Sequence, residues 1–263
     1  MTVTAISVVR DFGAYEKYVS KNPVCGGMSF FPFDNRSGNA PVPVLYNRFL
    51  DGYDYSKEAW FVFCHEDFEL QEDASALFAN LDKSRLYGAA GSARRGFGGF
   101  GMQVMYGNMT ECSRNGGATQ WNVGKMVSKP VEVETFDCCC LIVHSSLVAK
   151  YALRFDERLL FDLYVEDFCA SAKVAHGIRS FVVPLKCCHH SGSRATDRLY
   201  RHLPYLKDKY PKNCFIGSCT YFGTPSWQKK LQDRIIGIFR KTPSPQDAIM
   251  VDEARSAAKG MIV

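Results

Sequence analysis

The segment Trp60-Phe61-Val62-Phe63-Cys64 is apolar at every position and rich in strand formers, and it stops abruptly at His65-Glu66-Asp67. A short apolar run of this kind reads as a core strand. In an open α/β sheet, ligands bind just beyond the carboxyl ends of such strands. Three polar, metal-competent side chains at that point are therefore placed to hold a ligand. Carboxylates with one imidazole suit Mg²⁺ or Mn²⁺. The plain alternative is a polar turn after a core strand.

The flanking chain alternates between two patterns. Ala5 to Val9 reads as a strand, Ala14 to Val19 as a helix, and Asn22 to Pro43 as a Gly/Pro-rich loop. Leu70, Ala74, Leu77, Phe78 and Leu81 recur at helical spacing, which predicts a helix over 69–81. Arg85 to Ala90 returns to strand character, Gly91 to Gly101 is a glycine-rich loop, and Met102 to Tyr106 is a further strand. Thr110 to Gln120 reads as a polar turn. Val131 to Glu134, Cys138 to Val143 and Ile178 to Leu185 read as strands, Ser145 to Tyr151 as a short helix, and Glu166 to His176 as a helix closed by Gly177. Such alternation predicts an α/β fold with βαβ units. Amphipathic helices are expected over 199–210 and 227–239, so the chain divides into a catalytic-type domain at 1–198 and a helical extension with a polar tail at 199–263.

With 46% hydrophobic residues among 263, the chain has material for a substantial core. The net charge of +5 favours anionic ligands without singling out nucleic acid. No stretch is long and apolar enough for a membrane span, and the first residues lack a secretory pattern. The eleven cysteines are not spaced as CxxC pairs. Together with the absent leader, that favours free, buried thiols in a cytoplasmic protein.

Gly96 to Gly101 satisfies GxGxxG, but a strand pattern follows it where the dinucleotide fingerprint needs a helix. A loop bringing Arg94 and Arg95 to an anionic donor is the better functional reading. No P-loop and no GxSxG occurs. Glu166-Asp167 is either a pair of helix-start acids or a general base at the mouth of the sheet. His189-His190 ends a second buried run, as His65-Glu66-Asp67 ends the first, so Asp67, His190 and His65 are candidates to share one cation.

Taken in order, Ser7-Val8-Val9, Tyr46-Asn47, His65-Glu66-Asp67, Ala90-Gly91-Ser92, Phe155-Asp156-Glu157, Glu166-Asp167 and His190-Ser191-Gly192 resemble the motif series of GT-A nucleotide-sugar glycosyltransferases of the family-2-like kind. The resemblance covers about residues 5–195. It implies a GT-A type domain with a mixed, mostly parallel sheet flanked by helices. It also implies metal-dependent transfer of a sugar from a nucleoside diphosphate donor, UDP above all, to a hydroxyl of a glycan or lipid-linked acceptor, with inversion. Carried over residue by residue, Asp67 and His190 hold Mn²⁺ or Mg²⁺, with His65 and His189 as further ligand candidates. Asp167 is the base with Glu166 beside it. Val9, Arg10, Asp11, Asn47, Glu66, Ser92, Arg94 and Arg95 fall to the nucleotide sugar. His65 stands where the family has an acid, which leaves an inactive nucleotide-sugar binder as an alternative. An RNA-binding reading rests only on Arg94-Arg95-Gly96-Phe97-Gly98-Gly99, which is too short for an RGG segment. The 227–239 helix either packs on the domain or rests on a membrane surface.

Overall fold

Thr2–Val9 forms strand β1, with Val3, Ala5, Ile6 and Val9 buried. The computed structural model describes residues 2–96, 102–112, 121–190 and 197–225. After β1, Asp11 caps the short helix α1 (Phe12–Tyr15) by accepting the Ala14 amide. Edge strand β2 (Ser29–Asp34), helix α2 (Val42–Gly52) and strand β3 (Ala59–Cys64) follow. Every residue of β3 is buried. Then come β4 (Phe68–Leu70), α3 (Ser75–Ala79), β5 (Leu86–Gly88), β6 (Ala90–Arg95), β7 (Met102–Gly107), β8 (Met109–Glu111) and β9 (Trp121–Asn122). The next elements are β10 (Val131–Val133), β11 (Thr135–Phe136), β12 (Cys140–His144), α4 (Ser145–Tyr151), α5 (Tyr164–His176), β13 (Ser180–Val182) and β14 (Cys187–His189).

The main sheet has seven strands in the order β10-β13-β5-β12-β3-β1-β2. β1 runs parallel to both β2 and β3, and β5 parallel to β13. β12 lies antiparallel between β3 and β5, and β10 is antiparallel to β13. The fold is thus mixed α/β, with helices flanking a large mixed sheet. A smaller sheet in the order β4-β14-β8-β9 carries β14 antiparallel to β4 and parallel to β8. Gly88 is required where Phe136 crosses β5, because a Cβ there would meet the ring at 2.6 Å.

Residues 2–94, 103–112, 121–190 and 216–220 form one compact unit. The described part of a second unit is 95–96, 102, 197–215 and 221–225. It holds α6 (Asp197–Arg201), α7 (Leu203–Lys209), the first two residues of β15 (Cys214–Ile216) and β16 (Tyr221–Gly223), and Phe215, Phe222 and Tyr210 pack ring on ring.

Several expectations are corrected. The supposed loop 22–43 contains β2, an exposed edge strand whose Pro32 an edge tolerates. The helix expected over 69–81 is β4 plus the short α3, because β14 claims Phe68–Leu70 as a partner. Residues 91–95, expected as the start of the glycine-rich loop, belong to strand β6. The run 178–185 holds only the short β13, and β14 belongs to the smaller sheet. The 199–210 helix is broken in two before Pro204. Not all cysteines are free: Cys112 and Cys188 form a disulfide that links the end of β8 to β14. The 227–239 helix, the 97–101 glycines and Ser191-Gly192 lie outside the described residues.

Candidate metal centre and its surroundings

At the carboxyl end of β3 three ligand atoms converge. His65 Nδ1 lies 3.3 Å from His189 Nε2, Asp67 Oδ1 lies 3.4 Å from the same nitrogen, and His65 Nδ1 and Asp67 Oδ1 are 4.0 Å apart. The outward ring nitrogens are held as well. His65 Nε2 is 3.2 Å from the Tyr164 hydroxyl, which itself donates to the Cys138 carbonyl, and His189 Nδ1 is 3.2 Å from Glu111 Oε2. That network assigns the Nε2 proton of His65 to Tyr164 and leaves its Nδ1 lone pair facing inward. Burial alone would lower the His189 pKa, but hydrogen bonds to Asp67 and Glu111 outweigh it and lift it to about 10. His65 moves down, first through burial and then through the charge of His189. The metal-free pair is therefore an imidazolium beside a neutral imidazole, with a proton in the triangle of ligand atoms.

The divalent ion implied by the motif resemblance fits this triangle. Ligand atoms bound to one first-row ion at about 2.0–2.2 Å stand about 3–3.5 Å apart; the two edges that meet at His189 Nε2 match this at 3.3 and 3.4 Å, and the His65–Asp67 edge, at 4.0 Å, would close by about 0.5 Å. Outward nitrogens anchored to a carboxylate and a hydroxyl are the usual support of metal-binding histidines. A cation entering here would displace the His189 proton.

Asp137 adds a further carboxylate, since its oxygen, Cys139 Sγ and a His189 nitrogen lie within 4.8 Å of one another. The charge of Asp137 also acts on Glu166. Glu166 is buried in the first turn of α5, where the Cys138 thiol (2.8 Å) and the Ser218 hydroxyl (3.2 Å) donate to its two oxygens. Burial is the largest influence on Glu166 and raises its pKa to about 7. Gly217 lets the 216–220 segment tuck over this carboxylate, because a Cβ would already stand 3.4 Å from Glu166 Cγ and 3.0 Å from the Thr220 carbonyl.

On the other side, exposed Phe161 stacks on His65 with ring centroids 5.8 Å apart. Leu160 and Leu163, with φ of 29° and 64°, bracket it in backbone conformations that cost a leucine about 1–3 kcal/mol each.

The residues expected from sequence divide sharply. His65, Asp67, His189 and Glu166 gather here. The His190 side chain turns elsewhere: its Nε2 is 2.8 Å from Glu69, and its ring stacks on Tyr18 at 3.8 Å. Asp167 is buried in the same turn as Glu166. Glu66 accepts the amides of Arg10 (2.5 Å) and Asp11 (2.9 Å), pinning the loop after β1. Val9 is wholly buried, and its carbonyl takes the Asn35 amide. Asn47 clasps the Phe155 backbone through both ends of its amide. Ser92 faces Met105 and Gln103 inside the sheet. Arg94 pairs with Glu134 at 3.6 Å, and Arg95 lies at the exposed end of β6. Sequence reasoning missed Glu111, Asp137, Tyr164 and Phe161.

No family model and no curated protein sequence matches this chain. Among solved structures it is similar to A197 from STIV, at 10% identity and a TM-score of 0.39 over 86% of this chain and 95% of that one. It is also similar to a glycosyltransferase involved in the glycosylation of the major capsid of PBCV-1, at 11% identity and a TM-score of 0.36 over 76% of this chain and 98% of that one. Both likenesses are too slight to bear on function, and the side chains carry the reading. No helix among the described residues is long and apolar enough to cross a membrane.

Proposed function

We propose that this chain is a metal-dependent glycosyltransferase that moves a sugar from a nucleoside diphosphate sugar, UDP-linked above all, to a hydroxyl of a glycan or lipid-linked acceptor. The observation that carries the reading is the triangle of His65 Nδ1, Asp67 Oδ1 and His189 Nε2 at the carboxyl end of β3, with both outward nitrogens anchored. Of Mn²⁺ and Mg²⁺, two imidazoles and one carboxylate favour Mn²⁺. Bound there, the ion supplies Lewis-acid charge against the departing diphosphate.

The protein's own groups do the rest. Glu111 and Tyr164 hold the two imidazoles in the tautomers that face inward. Glu166 takes the proton of the acceptor hydroxyl as that oxygen attacks the anomeric carbon. A pKa near 7 suits a base at neutral pH, and Glu166 shares the field of Asp137 with the metal cluster. Asp167, its neighbour on α5, is the second choice for that role. A single base opposite the leaving group gives inversion. Phe161 offers an exposed apolar ring to an acceptor beside His65.

The test is calorimetric titration of UDP with Mn²⁺ and with EDTA, into wild type and Asp67→Ala. The expected result is UDP binding that Mn²⁺ strengthens in the wild type and does not strengthen in the variant. UDP affinity indifferent to both EDTA and the substitution would overturn the assignment.

A further inference from the structure

A second region of the same unit carries charge that the proposed transfer does not use. At the opposite edge of the main sheet lies an open cavity of about 450 Å³, walled by the turn before β5, one face of α4, the end of α5 and the entry to β13. Four of its eleven lining residues are cations, Lys83, Arg85, Lys150 and Arg179, and none is an acid. Its place in the sheet follows from register. β12 is antiparallel to β3, and His144 pairs with Trp60, so α4 begins at the end of β3 away from His65. Six strand residues separate the two edges by about 20 Å.

The cations are gathered by the fold. The guanidiniums of Arg85 and Arg179 lie over one ring, Phe181, at 4.7 Å and 5.4 Å from its centroid. Their acidic partners, Asp82 and Glu132, and the Glu58 that pairs with Lys83, all stand outside the cavity lining. These are surface pairs, which exchange readily for a ligand. Lys150 has no carboxylate within ion-pair distance among the described residues, and its ammonium sits 4.9 Å from the Tyr151 ring centroid. Tyr151 in turn packs against His176, centroids 4.5 Å apart, which gives the cavity an aromatic wall. Two arginine forks and two ammonium groups around a cavity of small-ligand size match the several oxygens of a phosphoryl group.

We propose that this cavity is a second binding site, for a phosphate-bearing anion, separate from the metal-edge site and independent of the glycosyltransferase reading. The same chemistry is offered by a free phosphorylated metabolite and by the headgroup of an anionic phospholipid.

The experiment titrates inorganic pyrophosphate into the full chain in EDTA, in wild type and in Asp67→Ala, so that the metal edge is silent. In parallel, the protein is sedimented with phosphatidylglycerol vesicles and with phosphatidylcholine vesicles. The expected result is saturable pyrophosphate binding that survives Asp67→Ala, falls with added salt, and weakens about tenfold or more in Lys150→Ala with Arg179→Gln. Binding only to phosphatidylglycerol vesicles, lost in the same double variant, would support the site with a lipid headgroup as its ligand. Should the double variant melt far below the wild type, Lys150→Ala alone decides, since Lys150 makes no ion pair among the described residues. Absence of both pyrophosphate and vesicle binding overturns the proposal, and so does binding that these substitutions leave unchanged.

Discussion

At the carboxyl edge of β3 the charged groups are Asp67, Glu111, Asp137 and Glu166 around two imidazoles, all buried or half-buried; at the opposite edge Lys83 and Arg179 stand more than half exposed around an open cavity. The difference teaches what burial does to charge. Withdrawn from water, a carboxylate or imidazole must find a partner, change its protonation or take a cation. His189 and Glu166 show this, one pushed up to about 10 by two carboxylates and the other to about 7 by burial. Cations left in solvent keep their charge and can attract a ligand, but have little means of moving protons. Chemistry is expected at the first edge and recognition at the second.

The largest effect that would break this contrast concerns Glu166. Glu166→Gln keeps the size of the side chain and one acceptor oxygen, enough for either Cys138 or Ser218 but not both, while removing a titrating base. Transfer should fall by about 10²–10⁴-fold with UDP affinity retained. Asp167→Asn, measured alongside, should lose much less. The reverse ranking would return the base to Asp167, and full activity in both would remove α5 from the chemistry.

How far the sequence revealed this edge depends on strand direction. β3 and its terminal His65-Glu66-Asp67 were legible because an unbroken apolar run ends in polar residues. Helices α4 and α5 were legible too, the second closed by Gly177 with φ of 68°. Asp137 was not, because it precedes its strand. Only the antiparallel course of β12 brings the start of that strand beside the end of β3. Glu111 lay hidden in a polar stretch that reads as a turn, and it reaches His189 only through the pairing of β8 with β14. Between His189 and His190 the sequence reading favoured His190, but strand alternation sends the adjacent side chains to opposite faces, His189 to Asp67 and His190 to Glu69 and Tyr18. The Cys112–Cys188 disulfide joins residues 76 apart, a pairing that spacing alone does not announce.

A smaller effect sharpens the contrast through pH. The folded-state pKa of Glu166, about 7, lies above its ordinary value of 4.5, so the native state holds a proton that the unfolded chain releases. Below about pH 4.5 both states are protonated and the group costs nothing. Between pH 4.5 and 7 the unfolded chain releases its proton while the native state keeps it, so stability falls by about 3 kcal/mol in all and levels off above 7. Glu166→Gln lacks this term. Urea unfolding of wild type and variant from pH 4.5 to 8 should therefore show the variant gaining on the wild type as pH rises. A difference that stays flat with pH would place the Glu166 pKa near its ordinary value and weaken its case as a base.

The smallest expected effect lies at the exposed edge. Lys150→Ala removes a cation from the last turn of α4, where its charge favours the helix terminus by about 0.3–1 kcal/mol, while alanine returns a few tenths through helix propensity. Net stability should move by less than about 0.5 kcal/mol. Because Lys150 and Glu166 share no partner and stand at opposite edges of the sheet, transfer by Lys150→Ala should match the wild type, and the double variant should behave as Glu166→Gln does alone. Pyrophosphate binding is the one property expected to change. If Lys150→Ala instead lowers the transfer rate, then the two edges are coupled, and a ligand in the cationic cavity would regulate the reaction at the metal edge.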